Sequence, residues 1–415
     1  RVIRPFLRNQ SSGICSMTEP TSDRPTVRMK PKAAGRVLRG HPWAFSNEIE
    51  MTPESRALEA GTVVRLVTDD NTPVGTAQFN PHSLISARVL DRDVDRTIDH
   101  GFLVERLTAA LRLRERLFPT PYYRLVHAEA DRLPGLVIDR FDDLVVVQAN
   151  TAGMERLESV LLTALAEVLS PGAIVLRNDS PSRLHEGLGQ EVRLGAGVMP
   201  EDPTVIEGGA RFPLDPLSGQ KTGWFFDHRA NRAFIAGLSQ GARVLDVYSH
   251  SGAFGVQCAV AGAASVDLID RSAPGLLMAT QAAELSGVAD RVTTRKADAF
   301  ASLEHLFKSG QNYDVVIADP PAFAKSKKDV GAATKAYRKL ARLAAGVTAP
   351  GGLLLIASCS HHIDPASFSI QVSRGLIDAE RTGRVLRRSG AGPDHPLHPQ
   401  LPESAYLKCE ILELD

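Results

Sequence analysis

Apolar and polar residues follow two rhythms along this chain, and the rhythm changes once. From about Thr26 to Asp91, short β runs (VVRLVT at 63–68, PVGTAQF at 73–79, SLISARVL at 83–90) are broken by Asp69-Asp70-Asn71 and Asn80-Pro81, which predicts a small β-rich domain. Between Val94 and Leu117 the spacing of Ile98, Phe102, Leu103, Leu107, Leu111 and Leu117 is helical, with Arg112, Arg114 and Arg116 on the other side. Strands near 123–127, 134–139 and 143–148, a helix near 153–168 and strands near 173–176 and 203–214 predict an α+β domain of antiparallel character. After Gly241 the pattern becomes apolar strand, Gly-rich turn, helix: RVLDVY at 243–248, SVDLID at 265–270, YDVVIAD at 313–319 and GLLLIAS at 352–358. Continuous apolar strands joined by helices imply a parallel sheet covered on both faces, hence an α/β fold.

Ligands of an open parallel sheet bind outside the carboxyl ends of its strands, so the residues after each apolar run are read first. The first run leads into Asp246-Val-Tyr-Ser-His-Ser251-Gly252-Ala-Phe-Gly255, whose small residues let the backbone pass close to a ligand; tight strand-to-helix packing would use the same glycines. The second ends in Asp270, able to accept from both hydroxyls of a ribose or to serve the helix start at Ser272. Asp298 follows the short run Arg291 to Thr294, where it can meet an adenine amino group. Three acids in register around a glycine turn favour a nucleoside cofactor.

The next strand runs into Asp319-Pro320-Pro321-Ala322-Phe323, where two prolines hold the chain extended so that carbonyls and a carboxylate face a ligand; a plain strand stop is the bland alternative. The last strand ends in Ser358-Cys359-Ser360-His361-His362. Cys359 is either a nucleophile, with His361 or His362 helping to deprotonate it, or a buried small hydrophobe. No third ligand at a metal-like spacing accompanies the histidines, so no metal is expected. Upstream, Lys221-Thr-Gly-Trp-Phe225-Phe-Asp227-His-Arg229-Ala-Asn-Arg232 joins aromatics, an acid and two arginines before a helix; a ring and a guanidinium there can cover an adenine and hold a carboxylate, or simply start an amphipathic helix.

The 415 residues suffice for two or three domains with separate cores. Lys plus Arg equals Asp plus Glu at 48 each, which excludes a globally basic coat but not a local basic face. Cys15, Cys258, Cys359 and Cys409 form no C-x-x-C pair, which argues against a disulfide framework and for a reduced, cytoplasmic protein. No apolar run reaches the roughly 18 residues that a membrane crossing needs. The segment before Met17 reads as an added leader, and 1–25 is expected to be disordered.

Taken together, D-V-Y-S-H-S-G-A-F, Asp270, D-P-P-A-F, S-C-S and K-T-G-W-F-F-D-H-R resemble the RlmI-type class I S-adenosylmethionine-dependent methyltransferases, whose type members methylate carbon-5 of a cytosine in 23S ribosomal RNA. Arg36-Val-Leu-Arg-Gly-His-Pro-Trp43-Ala-Phe45 resembles that family's PUA-like domain, Arg124 to Gly135 its central domain and Pro393-Asp-His-Pro-Leu-His-Pro its C-terminal hairpin, so the likeness runs from about Thr26 to the end. His250 and Ala322 depart from the Tyr and Lys common there. The resemblance implies a PUA-like RNA-binding domain at 26–92, a central α+β domain at 93–215 and a Rossmann-like methyltransferase domain at 216–415. It implies that Asp246, Ser251, Gly252, Asp270 and Asp298 bind S-adenosylmethionine, with Phe225, Asp227, Arg229 and Pro320 completing the pocket. Asp319 would hold both cofactor and target base, and Cys359 would be the nucleophile.

A thiolate adduct at carbon-6 makes carbon-5 of cytosine able to attack a methyl group, and the base must be unstacked to enter such a pocket. Large-subunit ribosomal RNA is the expected partner, with no membrane and with a homodimer left open. Lys325, Lys327, Lys328, Lys335, Arg338, Lys339 and Arg342, opposed locally only by Asp329, offer phosphate contacts or a solvated helix face. Arg28, Lys30, Lys32, Arg36 and Arg39 give the β domain a second basic edge, with Trp43 and Phe45 stacking on bases or closing its core. Two rival functions remain at this point: an amino-methyltransferase using Asp319-Pro320-Pro321 without covalent catalysis, and a non-catalytic RNA-binding ribosome-assembly factor.

Overall fold

Five short strands begin the chain: β1 (Thr26–Arg28), β2 (Trp43–Ala44), β3 (Thr62–Val67), β4 (Pro73–Phe79) and β5 (Ala87–Asp91), paired in the order β1-β3-β4-β5-β2. The computed structural model describes residues 24–219 and 222–415, so the expected leader up to Asp23, together with Cys15 and Lys221, lies outside the described residues. Alternate side chains of these strands, among them Val27, Val64, Leu66 and Phe79, fill a small core. The run 83–90 is strand only from Ala87, because Ser83 N donates to Asn80 O and Asn80 N to Ser86 O, closing a turn first.

The second sheet contains β6 (Tyr122–His127), β7 (Leu136–Phe141), β8 (Leu144–Ala149), β9 (Ala173–Asn178) and β10 (Glu191–Gly197), in the order β10-β9-β8-β7-β6. Its pairs are antiparallel except β8 with β9, which the helix Glu158–Leu169 connects as a parallel crossover. β10 escaped the sequence reading because E-V-R-L-G-A-G is short, carries two glycines and two charges, and leaves its side chains mostly exposed on an edge strand. The preceding helix is His100–Leu117, started by Asp99, whose carboxylate accepts from Phe102 N at 2.9 Å. Arg114 does not lie on the solvent side as its spacing suggested. It is fully buried, with its guanidinium on Asp131 at 2.5 and 2.8 Å and on Asp394 O at 3.0 Å.

A hairpin, β11 (Thr204–Glu207) and β12 (Ala210–Pro213), turns at Gly208-Gly209, both at positive φ, as a two-residue turn of this hand requires. The last sheet is β13 (Arg243–Val247), β14 (Ser265–Asp270), β15 (Val292–Lys296), β16 (Tyr313–Ala318), β17 (Thr348–Ser358), β18 (Gly383–Ser389) and β19 (Lys408–Leu414). Its order is β15-β14-β13-β16-β17-β19-β18; the first five strands are parallel, and β19 pairs antiparallel with both β17 and β18. Successive residues serve opposite faces. Val244, Leu268 and Ile317 enter one core, shared with Tyr122, Phe141 and Val146 of the second sheet, whereas Leu245, Ile269 and Val316 enter the other. Pro393 to Pro399 lies in the long loop of the C-terminal hairpin formed by β18 and β19, and its Asp394 is wholly buried against Arg114 and Arg124 N.

The chain leaves β13 toward β14 and β15, then returns to β16 on its other side. The strand order therefore reverses between β13 and β16, and a crevice opens at their carboxyl ends.

Candidate active site

The loop after β13 bends sharply, with Tyr248, His250 and Gly252 all at positive φ (64°, 47° and 74°). Two bulky residues held in the left-handed region cost energy that the surroundings must supply. Here Ser249 N donates to Ile269 O, and His250 N donates to Asp270 Oδ2 at 2.9 Å. Ser272 N donates to the other Asp270 oxygen at 2.7 Å, and Ser272, not Asp270, caps the following helix. Asp246 is buried below the loop and accepts from Gly255 N at 3.0 Å. Burial, with the charges of Asp319 and Asp270 added, pushes its carboxyl well above the usual carboxylate range against that hydrogen bond.

Over these strand ends lies a cavity of about 410 Å³ lined by Phe225, Asp227, His228, Arg232, Tyr248, Ser249, His250, Ser251, Ala253, Phe254, Asp270, Asp319, Pro320, Pro321, Ala322 and Cys359, among others. A half-buried Cys359 therefore faces the same space as Asp319. Cys258 and Cys409 are buried; burial pushes the Cys258 thiol up to about 12 and the Cys409 thiol higher still, which removes both as nucleophiles. His361 and His362 are exposed, and the His361 ring rests 5.3 Å from that of Tyr406.

Of the residues expected to bind a cofactor, Phe225, Asp227, Ser251, Asp270, Asp319 and Pro320 line the cavity, and Gly252 sits between the lining residues Ser251 and Ala253. Asp246, Arg229 and Asp298 do not line it; Asp246 lies buried beneath the glycine loop. Arg229 turns the other way, with Nε 3.3 Å from Glu207 Oε2 and its guanidinium over Phe118 and Phe226. Asp298 caps the helix Ala299–Lys308, accepting from Ala301 N at 2.8 Å, and its second oxygen pairs with Arg271. Asp227 accepts from Tyr406 Oη at 2.6 Å.

Sequence reading missed His228, Tyr337, Tyr406 and Lys408. His228 Nε2 lies 3.4 Å from Asp319 Oδ2. Tyr337 Oη is bonded to Ser358 Oγ at 2.8 Å and Ser360 Oγ at 2.9 Å, the two residues flanking Cys359. His228 lay unassigned inside the K-T-G-W-F-F-D-H-R motif, whereas only position in the folded chain distinguishes Tyr337, Tyr406 and Lys408. The basic helix is less free than its own neighbours in sequence indicate, because Arg338 pairs with Asp378 and Lys339 with Glu304. In the first sheet, Trp43 Nε1 donates to Glu129 Oε1 at 2.8 Å and Arg36 covers the Phe45 ring, which ties both aromatics into protein contacts.

The lining suits S-adenosylmethionine. Asp270 offers a carboxylate for a ribose diol, Phe225, Tyr248 and Phe254 offer apolar walls, and the acids Asp227 and Asp319 of the lining favour a cation such as a sulfonium. Among the described residues no group of three His, Cys, Asp or Glu is placed to hold a metal ion, and no helix is long and apolar enough to cross a membrane.

A family model of PUA-like domains matches residues 27–92, and one of S-adenosylmethionine-dependent methyltransferases matches 191–383. The chain is 35% identical over 387 residues to ribosomal RNA large subunit methyltransferase I of Shewanella denitrificans, covering 92% of this chain and 97% of that protein. It is 36% identical over 379 residues to the protein of that name from Aeromonas hydrophila, covering 90% and 95%. The structure of SMU.776, complexed with SAH, superposes with a TM-score of 0.80 at 19% identity, covering 94% of this chain and 100% of that one, which establishes the shared fold. A strand order reversing at a glycine turn, a cavity fit for a sulfonium nucleoside and relatives matched along nearly their whole length converge: the chain belongs to the ribosomal RNA large subunit methyltransferase I family of S-adenosylmethionine-dependent methyltransferases.

Proposed function

We propose that this protein forms 5-methylcytosine in large-subunit ribosomal RNA through a covalent adduct at Cys359, and that it does so in the cytoplasm. The observation that carries the reading is that Cys359 and Asp319, at the ends of the paired strands β17 and β16, face one cavity. The relatives described above are named as ribosomal RNA large subunit methyltransferases.

Carbon-5 of cytosine is not nucleophilic by itself. The Cys359 thiolate adds to carbon-6, and the electron pair of the carbon-5 to carbon-6 double bond shifts to carbon-5. Bound S-adenosylmethionine supplies a methyl group on a positively charged sulfur. Asp319 orients the base by accepting from its exocyclic amine, and His228 keeps that carboxylate aimed into the cavity. Once carbon-5 carries the methyl group, its proton leaves to a base, the double bond re-forms and the thiolate departs. Phe225, Asp227, Ser251, Gly252, Asp270 and Pro320 hold the cofactor directly, while Asp246 and Asp298 brace the loops that carry them.

Cys359→Ala tests this. Methyl transfer to ribosomal RNA should fall roughly a thousandfold or more, while calorimetry with S-adenosylmethionine stays near wild type. Turnover within tenfold of wild type would reject the adduct and favour transfer to an amine. Mass mapping of ribosomal RNA from cells with and without the protein then identifies the modified nucleotide.

A further inference from the structure

Lys408 opens β19 directly opposite Ser358, so its side chain enters the structure beside the strand end that carries Cys359. It is only 5% exposed. Its Nζ donates to Ser360 O at 2.6 Å and to Tyr406 O at 2.8 Å, which leaves one of its three donor positions. Both acceptors are neutral carbonyls, and a buried ammonium needs an anion to offset its lost hydration. The groups whose negative charge favours its ammonium are the Cys359 sulfur, once ionised, and then Asp364, an exposed helix cap held by Ser367.

We propose that Lys408 takes the Cys359 thiol proton and holds the resulting thiolate as an ion pair, a role that rests on Cys359 being the nucleophile. The proton moves from Sγ to the Nζ lone pair, giving thiolate and ammonium. The sulfur lone pair then forms the bond to carbon-6 of the base, and the same thiolate returns to the ammonium when that bond breaks. Burial lowers Lys408 to about 8, against the pull of the Cys359 sulfur, so its amine can accept a proton near neutral pH.

The other groups around the sulfur suit the task less well. Tyr406 and Tyr337 both face it, and burial raises both phenols, with Tyr406 already donating to Asp227 and Tyr337 bonded to Ser358 and Ser360. Across the cavity Asp319 is engaged by His228, and His361 is exposed against Tyr406.

Alkylation of Cys359 by iodoacetamide across pH 5.5–9.5 tests the pair in the full chain carrying Cys15→Ser, since Cys258 and Cys409 are buried. The Cys359 rate should titrate below the ordinary thiol value of about 8.5. Lys408→Met should lower the rate at pH 7 about tenfold, equivalent to one unit in thiol pKa, with S-adenosylhomocysteine binding unchanged. An unaltered profile in Lys408→Met overturns the proposal, as does a wild-type thiol that titrates at or above the ordinary value, which needs no variant to fold. Methylation surviving Cys359→Ala rejects the nucleophile reading separately, while the alkylation profile still reports on the ion pair.

Discussion

Replacing Glu207 by Ala removes the one carboxylate at a buried junction behind the cavity. Glu207 sits on the hairpin, 5% exposed as a side chain, and accepts from Arg232 Nε at 2.6 Å, Gln257 Nε2 at 3.0 Å, Trp224 Nε1 at 3.2 Å and Arg229 Nε at 3.3 Å. Arg232 is 1% exposed and lines the cavity, so the variant strands a guanidinium that keeps the Phe225 carbonyl and the Trp224 and Phe254 rings but loses its anion. Breaking such a pair by removing one member costs about 3–5 kcal/mol. For a unit of roughly 200 residues that corresponds to a fall in melting temperature of about 6 to 20 °C. Burial alone would raise the Glu207 carboxyl, yet Arg232 foremost and Arg229 hold it below the usual range. A depressed carboxylate stabilises fully above its unfolded value near 4.3 and loses that contribution as pH falls through its folded value. Calorimetric melting from about pH 2 to 8 should therefore give a wild-type to Glu207→Ala gap that is widest at neutral pH and narrows below about pH 4. A gap below about 3 °C at pH 7, or one that widens in acid, would refute the reasoning.

Two further outcomes follow from the strand ends. Asp246→Asn should stabilise the cofactor-free protein: a carboxyl raised in the fold binds its proton more tightly there than in the unfolded chain, so its ionisation costs stability as pH rises. The gain should be present at neutral pH, vanish below pH 4 and come with weaker S-adenosylmethionine binding, as melting and calorimetry would report. Tyr337→Phe removes the hydroxyl between Ser358 and Ser360 and should cost about 1–3 kcal/mol in denaturant unfolding. Because those serines flank Cys359, single-turnover methyl transfer should slow while cofactor binding holds.

Much of the catalytic sheet was legible because a strand buried on both faces must be apolar throughout, and a ligand-facing loop after it must be small, acidic or proline-bound. Asp246, Asp270, Asp319 and Cys359 stand at such loops in the chain and meet in space. Arg114 shows where the same reasoning fails. Helical spacing put it with the polar face, yet Asp131 and the Asp394 carbonyl, 280 residues away, make burial tolerable. Arg229 and Asp298 were residues of the right type near the right turn, but a guanidinium follows the nearest carboxylate and an Asp before a helix follows its free N–H groups.

The amino-acid pattern alone determined the parallel sheet, its glycine turn and the residue types at its edge, since burial and backbone freedom act locally and leave a periodic trace. Which groups press on the sulfur of Cys359 was decided only in three dimensions. Lys408, Tyr406 and Tyr337 come to the strand end that carries it through antiparallel pairing and helix packing, and Coulomb interactions and desolvation depend on distance through the fold, not on separation along the chain.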